Sequence, residues 1–152
     1  MTPAAVAAAG HFIAAFALVA ALALEWAWLR GRVDRIALER LTRADALYGL
    51  SALAVIGFGL LRVFVLEKPA AYYAHAVPFW LKLALFAAIG LLSIGPTLAL
   101  LRARKTARAD ARFVMPAAQV DALRRRVALE LGLLVPLIVC ASLMAKGVGL
   151  VA

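Results

Sequence analysis

The sequence predicts an all-α integral membrane protein built as a four-helix bundle, and three observations predict it. The chain has 152 residues, of which 66% are hydrophobic, and a mean hydropathy of +0.97, whereas soluble domains are nearer half apolar. Four apolar segments reach the roughly 20 residues that span a bilayer. Polar residues inside them recur at helical spacing. The segments cover about 4–29, 46–66, 77–101 and 127–145, so residues 1–152 are expected to form a single transmembrane domain.

The first segment is expected to be a retained anchor. A secretory signal peptide carries positive charge before its apolar stretch. Residues 1–10 here have no charged side chain, and the arginines follow the segment. The segment is therefore expected to remain as the first helix of the bundle.

Two of the three connections between the segments are strongly basic, and they predict the orientation. The connection between the second and third segments has only Lys68 outside the apolar stretches. Cytoplasmic loops collect Lys and Arg, so the basic connections are expected to face the cytoplasm and both termini to face outward. The basic residues are Arg30, Arg32, Arg35, Arg40 and Arg43 in the first connection, and Arg102, Arg104, Lys105, Arg108, Arg112 and Arg124–Arg126 in the third.

The net charge of +9 follows from these connections and predicts the lipid bilayer as the main partner. Basic residues beside a membrane contact anionic lipid headgroups. Nucleic-acid binding is disfavoured, because no aromatic residues are interleaved with the basic ones. The sequence leaves open whether copies of the chain form a homo-oligomer.

Each segment carries its polar residues along one helical stripe. Residues three and four apart share a face of an α-helix. The other faces are rich in Leu, Ala, Val, Ile and Phe, which suit contact with lipid. The stripes contain His11, Leu18 and Glu25; Asp45, Tyr48, Gly59 and Arg62; Lys82, Phe86 and Ser93; and Glu130, Leu134 and Met144. The small residues Gly49, Gly57, Gly59 and Gly90 are expected to let helices approach closely.

The inner polar layer, at the cytoplasmic ends, contains Glu25, Asp45 and Glu130. Arg43 and Arg126 are close to these acids in sequence. Ion pairs between the acids and the arginines would fix the helix ends, so a structural role is expected. Proton handling is the other interpretation of this layer.

The outer polar layer contains His11, Arg62 and Lys82, with Glu67 as the nearest acidic residue. Two interpretations remain open. The cations could extend to the membrane surface along their aliphatic stems. Alternatively, they could hold an anionic ligand, such as the propionates of a porphyrin, while His11 serves as axial ligand to haem iron.

Four stretches carry a resemblance to known families. They are G-H-F-I-A-A-F-A-L at 10–18, E-R-L-T-R-A-D-A-L-Y-G-L at 39–50, L-L-R-V-F-V-L-E-K at 60–68 and F-W-L-K-L-A-L-F at 79–86. They resemble an uncharacterised bacterial family of four-helix membrane proteins. More distantly, the chain is similar to HemJ-type protoporphyrinogen oxidases and to CopD-like membrane domains.

The HemJ resemblance implies a haem b site with His11 as a ligand and Lys82 as a further important residue. It also implies a redox protein of the bacterial inner membrane, and an enzyme if protoporphyrinogen is oxidised. The sequence departs from the HemJ pattern before the third segment, where Phe79, Trp80 and Leu81 precede Lys82. The alternative is a non-enzymatic membrane protein that handles a small ligand or ion, or packs as a subunit of a complex.

Overall fold

The computed structural model describes residues 2–66 and 75–149, and it contains four long helices. Their bounds are α1 Pro3–Trp28, α2 Arg35–Leu61, α3 Val77–Ala109 and α4 Ala117–Ala145, with a short π-helical stretch at Arg62–Leu66 that continues α2. No strand occurs in this described part of the chain. All four helices are long and apolar enough to cross a membrane, which confirms the predicted all-α fold.

Local sequence signals set where the helices begin. The side chain of Thr2 accepts a hydrogen bond from the backbone N–H of Ala5, and Pro3 follows at the first helical position, where its missing N–H costs nothing. Asp34 caps α2 in the same way, because its Oδ1 accepts from the N–H of Ala37 at 2.9 Å. Such caps satisfy backbone donors that have no partner inside the helix.

The helices pack in a ring in chain order. The most extensive contacts are those of α1 with α2 and of α3 with α4, and smaller ones join α2 with α3 and α1 with α4. Consecutive helices run in opposite directions. At one end, α1 and α3 begin and α2 and α4 finish; we call this the distal end. The other end carries the arginine-rich connections, and we call it the basic end.

Three of the helices extend beyond the apolar segments at the basic end. α2 begins at Arg35 although its apolar segment begins near Ala46, an extension of about 16 Å at ~1.5 Å per residue. The two basic connections pair with each other, because the N–H of Met115 donates to the carbonyl of Val33 at 2.9 Å. The basic end is therefore a folded cap rather than a pair of separate loops.

The tightly packed core lies from mid-bundle to the basic end. Leu22 and Leu38 are 1% exposed and Leu41 is fully buried. Further members of this core include Leu18, Leu29, Val33, Leu100, Met115, Leu123 and Val127. The distal half buries mainly small side chains such as Ala7 and Ala14. That half consequently has space for a cavity.

The expected role of the glycines needs correction. Gly49, Gly57 and Gly90 have open space where a Cβ would lie, so they do not mediate close helix contacts among the described residues. Gly10 in α1 does so instead, because a Cβ there would lie 2.5–2.9 Å from three ring atoms of Phe58 in α2. The sequence shows how many glycines each helix contains. Close approach of two helices depends instead on which face of the helix each glycine occupies.

Gly10→Ala is expected to destabilise the bundle by about 1–3 kcal/mol, because the Phe58 ring must move to admit the new methyl group. Gly57→Ala on the facing helix is the matched control. It meets no neighbouring atom and is expected to be neutral or stabilising by up to ~1 kcal/mol. Apparent melting temperatures in detergent measure both effects. Equal melting of the two variants would contradict the packing described here.

Candidate functional site at the distal end

A cavity of about 260 Å³ lies between α2 and α3 at the distal end, with α1 contributing His11. Its walls are almost entirely apolar and include several aromatic rings. Leu60, Phe64 and Trp80 are more than half exposed, so the cavity is open on the side that would face lipid. The described lining residues are His11, Val55, Ile56, Gly59, Leu60, Val63, Phe64, Phe79, Trp80, Lys82, Leu83 and Phe86.

The ring of His11 is fixed by a backbone hydrogen bond. Its Nδ1 lies 3.1 Å from the carbonyl oxygen of Val55 in α2. A carbonyl oxygen can only accept, so Nδ1 carries the proton and the neutral ring has its lone pair on Nε2. The ring also contacts Gly59, where a Cβ would lie 3.6 Å from Cε1. The same stripe of α2 that supplies the acceptor therefore supplies room for the ring.

Lys82 shares the cavity with His11, as the outer-layer prediction requires. It lies half-buried in the first part of α3, one turn before Phe86, which also lines the cavity. Lys82 is the only lysine or arginine in the described lining, and it lies on the wall of the cavity formed by α3. Two of the three predicted ligand-binding residues are thus brought to one cavity.

Arg62 is placed differently. It lies outside the described lining of the cavity, and its guanidinium carbon is 5.9 Å from the centroid of the Phe12 ring. Phe12 is 57% exposed, so this cation lies beside an outer face of α1. Arg62 is also the residue at which α2 changes to π-helical geometry, which alters the direction of the side chains that follow. Glu67, the acidic residue expected near this layer, lies outside the described residues.

Phe79 and Trp80 are functional candidates that were not among the predicted site residues. Aromatic residues near a helix start are usually membrane-surface anchors, but both of these line the cavity, and their rings pack edge to face at 5.5 Å. The available signal was their position three and two residues before Lys82. A position near the start of a helix does not reveal which ring faces inward until the neighbouring helix is known.

The inner layer lies near the opposite end of the bundle and is deeply buried. Glu25 is 2% exposed, Glu130 is 1% and Asp45 is 8%. Asp45 accepts a hydrogen bond from the hydroxyl of Thr97 in α3 at 2.7 Å. Thr97 was not among the predicted site residues. The structure therefore confirms that the three acids face the interior.

The expected pairing of these acids with arginines is wrong for the described residues. Oε1 of Glu25 and both carboxyl oxygens of Glu130 are buried without a hydrogen bond of good geometry to any described residue, and the neighbour that interacts with Glu130 is the hydroxyl of Tyr48 rather than an arginine. Arg126, one turn before Glu130, points instead toward α3, where its guanidinium lies against the backbone at Gly95. The missing side chain of glycine leaves room for this arrangement, which proximity in sequence could not reveal.

The described residues also show whether protein side chains alone could bind a metal ion. Among residues 2–66 and 75–149, no three His, Cys, Asp or Glu side chains are grouped so as to hold a metal ion. Cys140 is buried and unpaired with another cysteine. A metal bound through protein ligands alone is therefore not supported in this part of the chain, whereas a metal carried within a macrocycle needs only one or two protein ligands.

Comparison with known proteins assigns the chain to a family. It belongs to the family described as "Predicted membrane protein (DUF2214)", whose model matches residues 3–149. The match covers all four helices and both polar layers. Neither the curated proteins nor the solved structures contain a match to the chain.

Proposed function

We propose that this member of the DUF2214 family binds haem b at the distal cavity and acts as a membrane redox protein. His11 is the proposed axial ligand of the haem iron. Lys82 is the proposed partner of a haem propionate, and Arg62 is a second cation at the same depth. No substrate or electron acceptor is assigned.

The single observation that carries the proposal is the hydrogen bond from His11 Nδ1 to the Val55 carbonyl. Metal-ligating histidines almost always donate their second ring N–H to a carbonyl or carboxylate, which fixes the tautomer and the ring orientation. The bond leaves Nε2 as the atom with a lone pair. This is the tautomer that a histidine needs in order to bind a metal through Nε2.

The walls of the cavity support the same ligand class. Small-molecule sites are mostly apolar with a few polar groups and typically enclose about 300–1,000 Å³. The cavity of about 260 Å³ is slightly smaller than this range, and it is open on its lipid-facing side. Phe64, Trp80 and Phe86 offer flat apolar contact to a macrocycle, while Lys82 offers charge to a carboxylate. A ligand that is apolar with acidic edges matches this distribution.

Haem, when bound, would supply one-electron redox chemistry. The residues of the chain would hold and tune it. His11 would supply the ligating nitrogen, and the Val55 carbonyl would raise its basicity by accepting from Nδ1. The aromatic walls would exclude water from the ligand, and Lys82 would neutralise an acidic edge.

Absorption spectroscopy tests the proposal directly. The full chain, made in cells supplied with ample haem and purified in detergent, is expected to show a Soret band and a pyridine haemochrome spectrum of haem b. Lys82→Ala is expected to retain haem more weakly than the parent protein. A colourless protein would overturn the proposal and would favour the alternative, a non-enzymatic protein that handles a small ligand or ion or packs as a subunit.

We further propose that the chain lies in the bacterial inner membrane with its basic end in the cytoplasm and both termini outside. The positive charge of the cap supports this orientation. Arg35, Arg104 and Arg108 surround one polar cavity of the cap, and Arg43 and Arg104 surround a second one nearer the bilayer. Anionic headgroups are the proposed partners of the arginines nearest the membrane.

Cysteine labelling in intact cells is expected to distinguish the two ends. In a Cys140→Ala background, Ala5→Cys at the exposed start of α1 should react with a membrane-impermeant maleimide added outside. Arg108→Cys, at the exposed end of α3, should react only after the membrane is opened. Labelling of Arg108→Cys from outside would contradict the orientation, and Ala5→Cys serves as the positive control for reagent access.

A further inference from the structure

The buried acids near the basic end lie outside the proposed haem site. We propose that Glu25 and Glu130 form an intramembrane proton-binding site, in which protonation converts each carboxylate to a neutral carboxyl. The site lies near the opposite end of α1 from His11. It is therefore independent of the proposed haem site.

Glu25 and Glu130 are almost fully buried and have no cationic partner among the described residues. They are 2% and 1% exposed, and three of their four carboxyl oxygens are enclosed without a hydrogen bond of good geometry from any described residue. The polar neighbour that interacts with Glu130 is neutral, the hydroxyl of Tyr48. An ionised carboxylate in such surroundings loses its hydration and gains no opposite charge in exchange, so the neutral form is favoured. Within a membrane, an ionisable residue kept in the interior marks a functional site by default.

The two acids also lie close to other groups that can carry negative charge. Glu25 interacts electrostatically with both Asp45 and Glu130, so three carboxyl groups from α1, α2 and α4 share one region. The neutral polar groups near it are Tyr48 from α2, which interacts with Glu130, and Ser93 and Thr97 from α3, which interact with Tyr48 and Asp45. Full ionisation would bring three negative charges together, which like-charge repulsion opposes strongly at low dielectric.

Arg126 is directed away from Glu130. It is the cation nearest to Glu130 along α4, and no ion pair joins them in the structure. Its guanidinium lies against the backbone at Gly95, so this cation does not neutralise Glu130. Asp45 differs from the other two acids because Thr97 donates to it. The proton is thus assigned to Glu25 and Glu130 rather than to Asp45.

The proton is also a better occupant than a metal ion. A hard cation needs several oxygen ligands directed at one point, and the described acids are not grouped in that way. A proton needs only one oxygen and leaves the group neutral. The protonated carboxyl can then donate to a neighbouring oxygen, which an ionised one cannot do.

Infrared spectroscopy of the full-length protein tests the site. At neutral pH the protein is expected to show the carbonyl stretch of protonated carboxylic acids, shifted in D₂O, which disappears at alkaline pH. Glu25→Gln and Glu130→Gln should each remove part of this band, and the double variant should remove it. Glu39→Gln, at an exposed acid of α2, is the matched control and should leave the band unchanged.

Thermal unfolding separates proton binding from ion pairing. Gln resembles a protonated Glu in size and charge, so both variants are expected to melt at or above the parent temperature at alkaline pH. Ion pairing with an arginine would make both variants melt lower, and that result would overturn the proposal. The absence of the carboxylic band from the parent protein at neutral pH would also overturn it. A band that depends on Na⁺ or K⁺, measured against choline buffer, would assign the site to a cation instead.

Discussion

His11→Ala is expected to give a folded protein without a Soret band. The substitution removes the proposed axial ligand together with the hydrogen bond from Nδ1 to Val55. The cavity keeps its apolar walls, so any porphyrin that remained would be held without the iron–nitrogen bond. Absorbance per protein after size-exclusion chromatography measures the loss, and circular dichroism shows whether the four helices persist.

The chain offers a matched control for this experiment. His75 is the only other histidine, and it lies exposed in the turn before α3, outside the described lining of the cavity. His75→Ala is expected to retain the full Soret band. Haem retained at the parent level in His11→Ala would exclude His11 as the ligand, and loss in His75→Ala alone would move the ligand to that turn.

Leu41→Ala is expected to destabilise the protein by about 2–5 kcal/mol, the usual cost of removing a leucine side chain from a close-packed core. Leu41 is fully buried in the part of α2 that extends into the cap. The cap lies beyond the apolar segment, where a core of apolar side chains is stabilised by the hydrophobic effect. Apparent melting temperature and resistance to limited proteolysis between residues 30 and 45 measure the effect.

Leu50→Ala, on the same helix, separates core packing from contact with lipid. Leu50 is 67% exposed within the apolar segment, where lipid tails are as apolar as the leucine itself. Its removal is expected to change the melting temperature much less than Leu41→Ala does. Equal effects from the two variants would mean that the cap is not a packed unit of the folded protein.

The sequence predicted the outer layer in part. The stripe on α1 placed His11 inward, and the stripe on α3 placed Lys82 and Phe86 on one face, and all three line the cavity. Arg62 follows the same spacing rule on α2, yet the helix becomes π-helical there. Spacing rules assume a uniform 3.6-residue turn, so they fail where the helix geometry changes.

The inner layer shows a different limit. The spacing of Glu25, Asp45 and Glu130 correctly predicted burial on interior faces. It did not predict their partners, because Thr97 comes from another helix and Arg126 turns to Gly95. Partners across a helix interface depend on the rotation and height of both helices. The separation of two residues along the sequence gives neither the rotation nor the height of their helices.

Apolar length and charge distribution by themselves determined that this chain forms four transmembrane helices with polar interior stripes, because burial in lipid imposes one length and one hydrogen-bonding pattern on a spanning segment. Only the tertiary structure decided that the helices continue into a packed cap, that the distal half contains a cavity, and that Arg126 does not pair with Glu130. These features arise from contacts between helices distant in sequence. Close packing fixes such contacts through the shapes of both surfaces together.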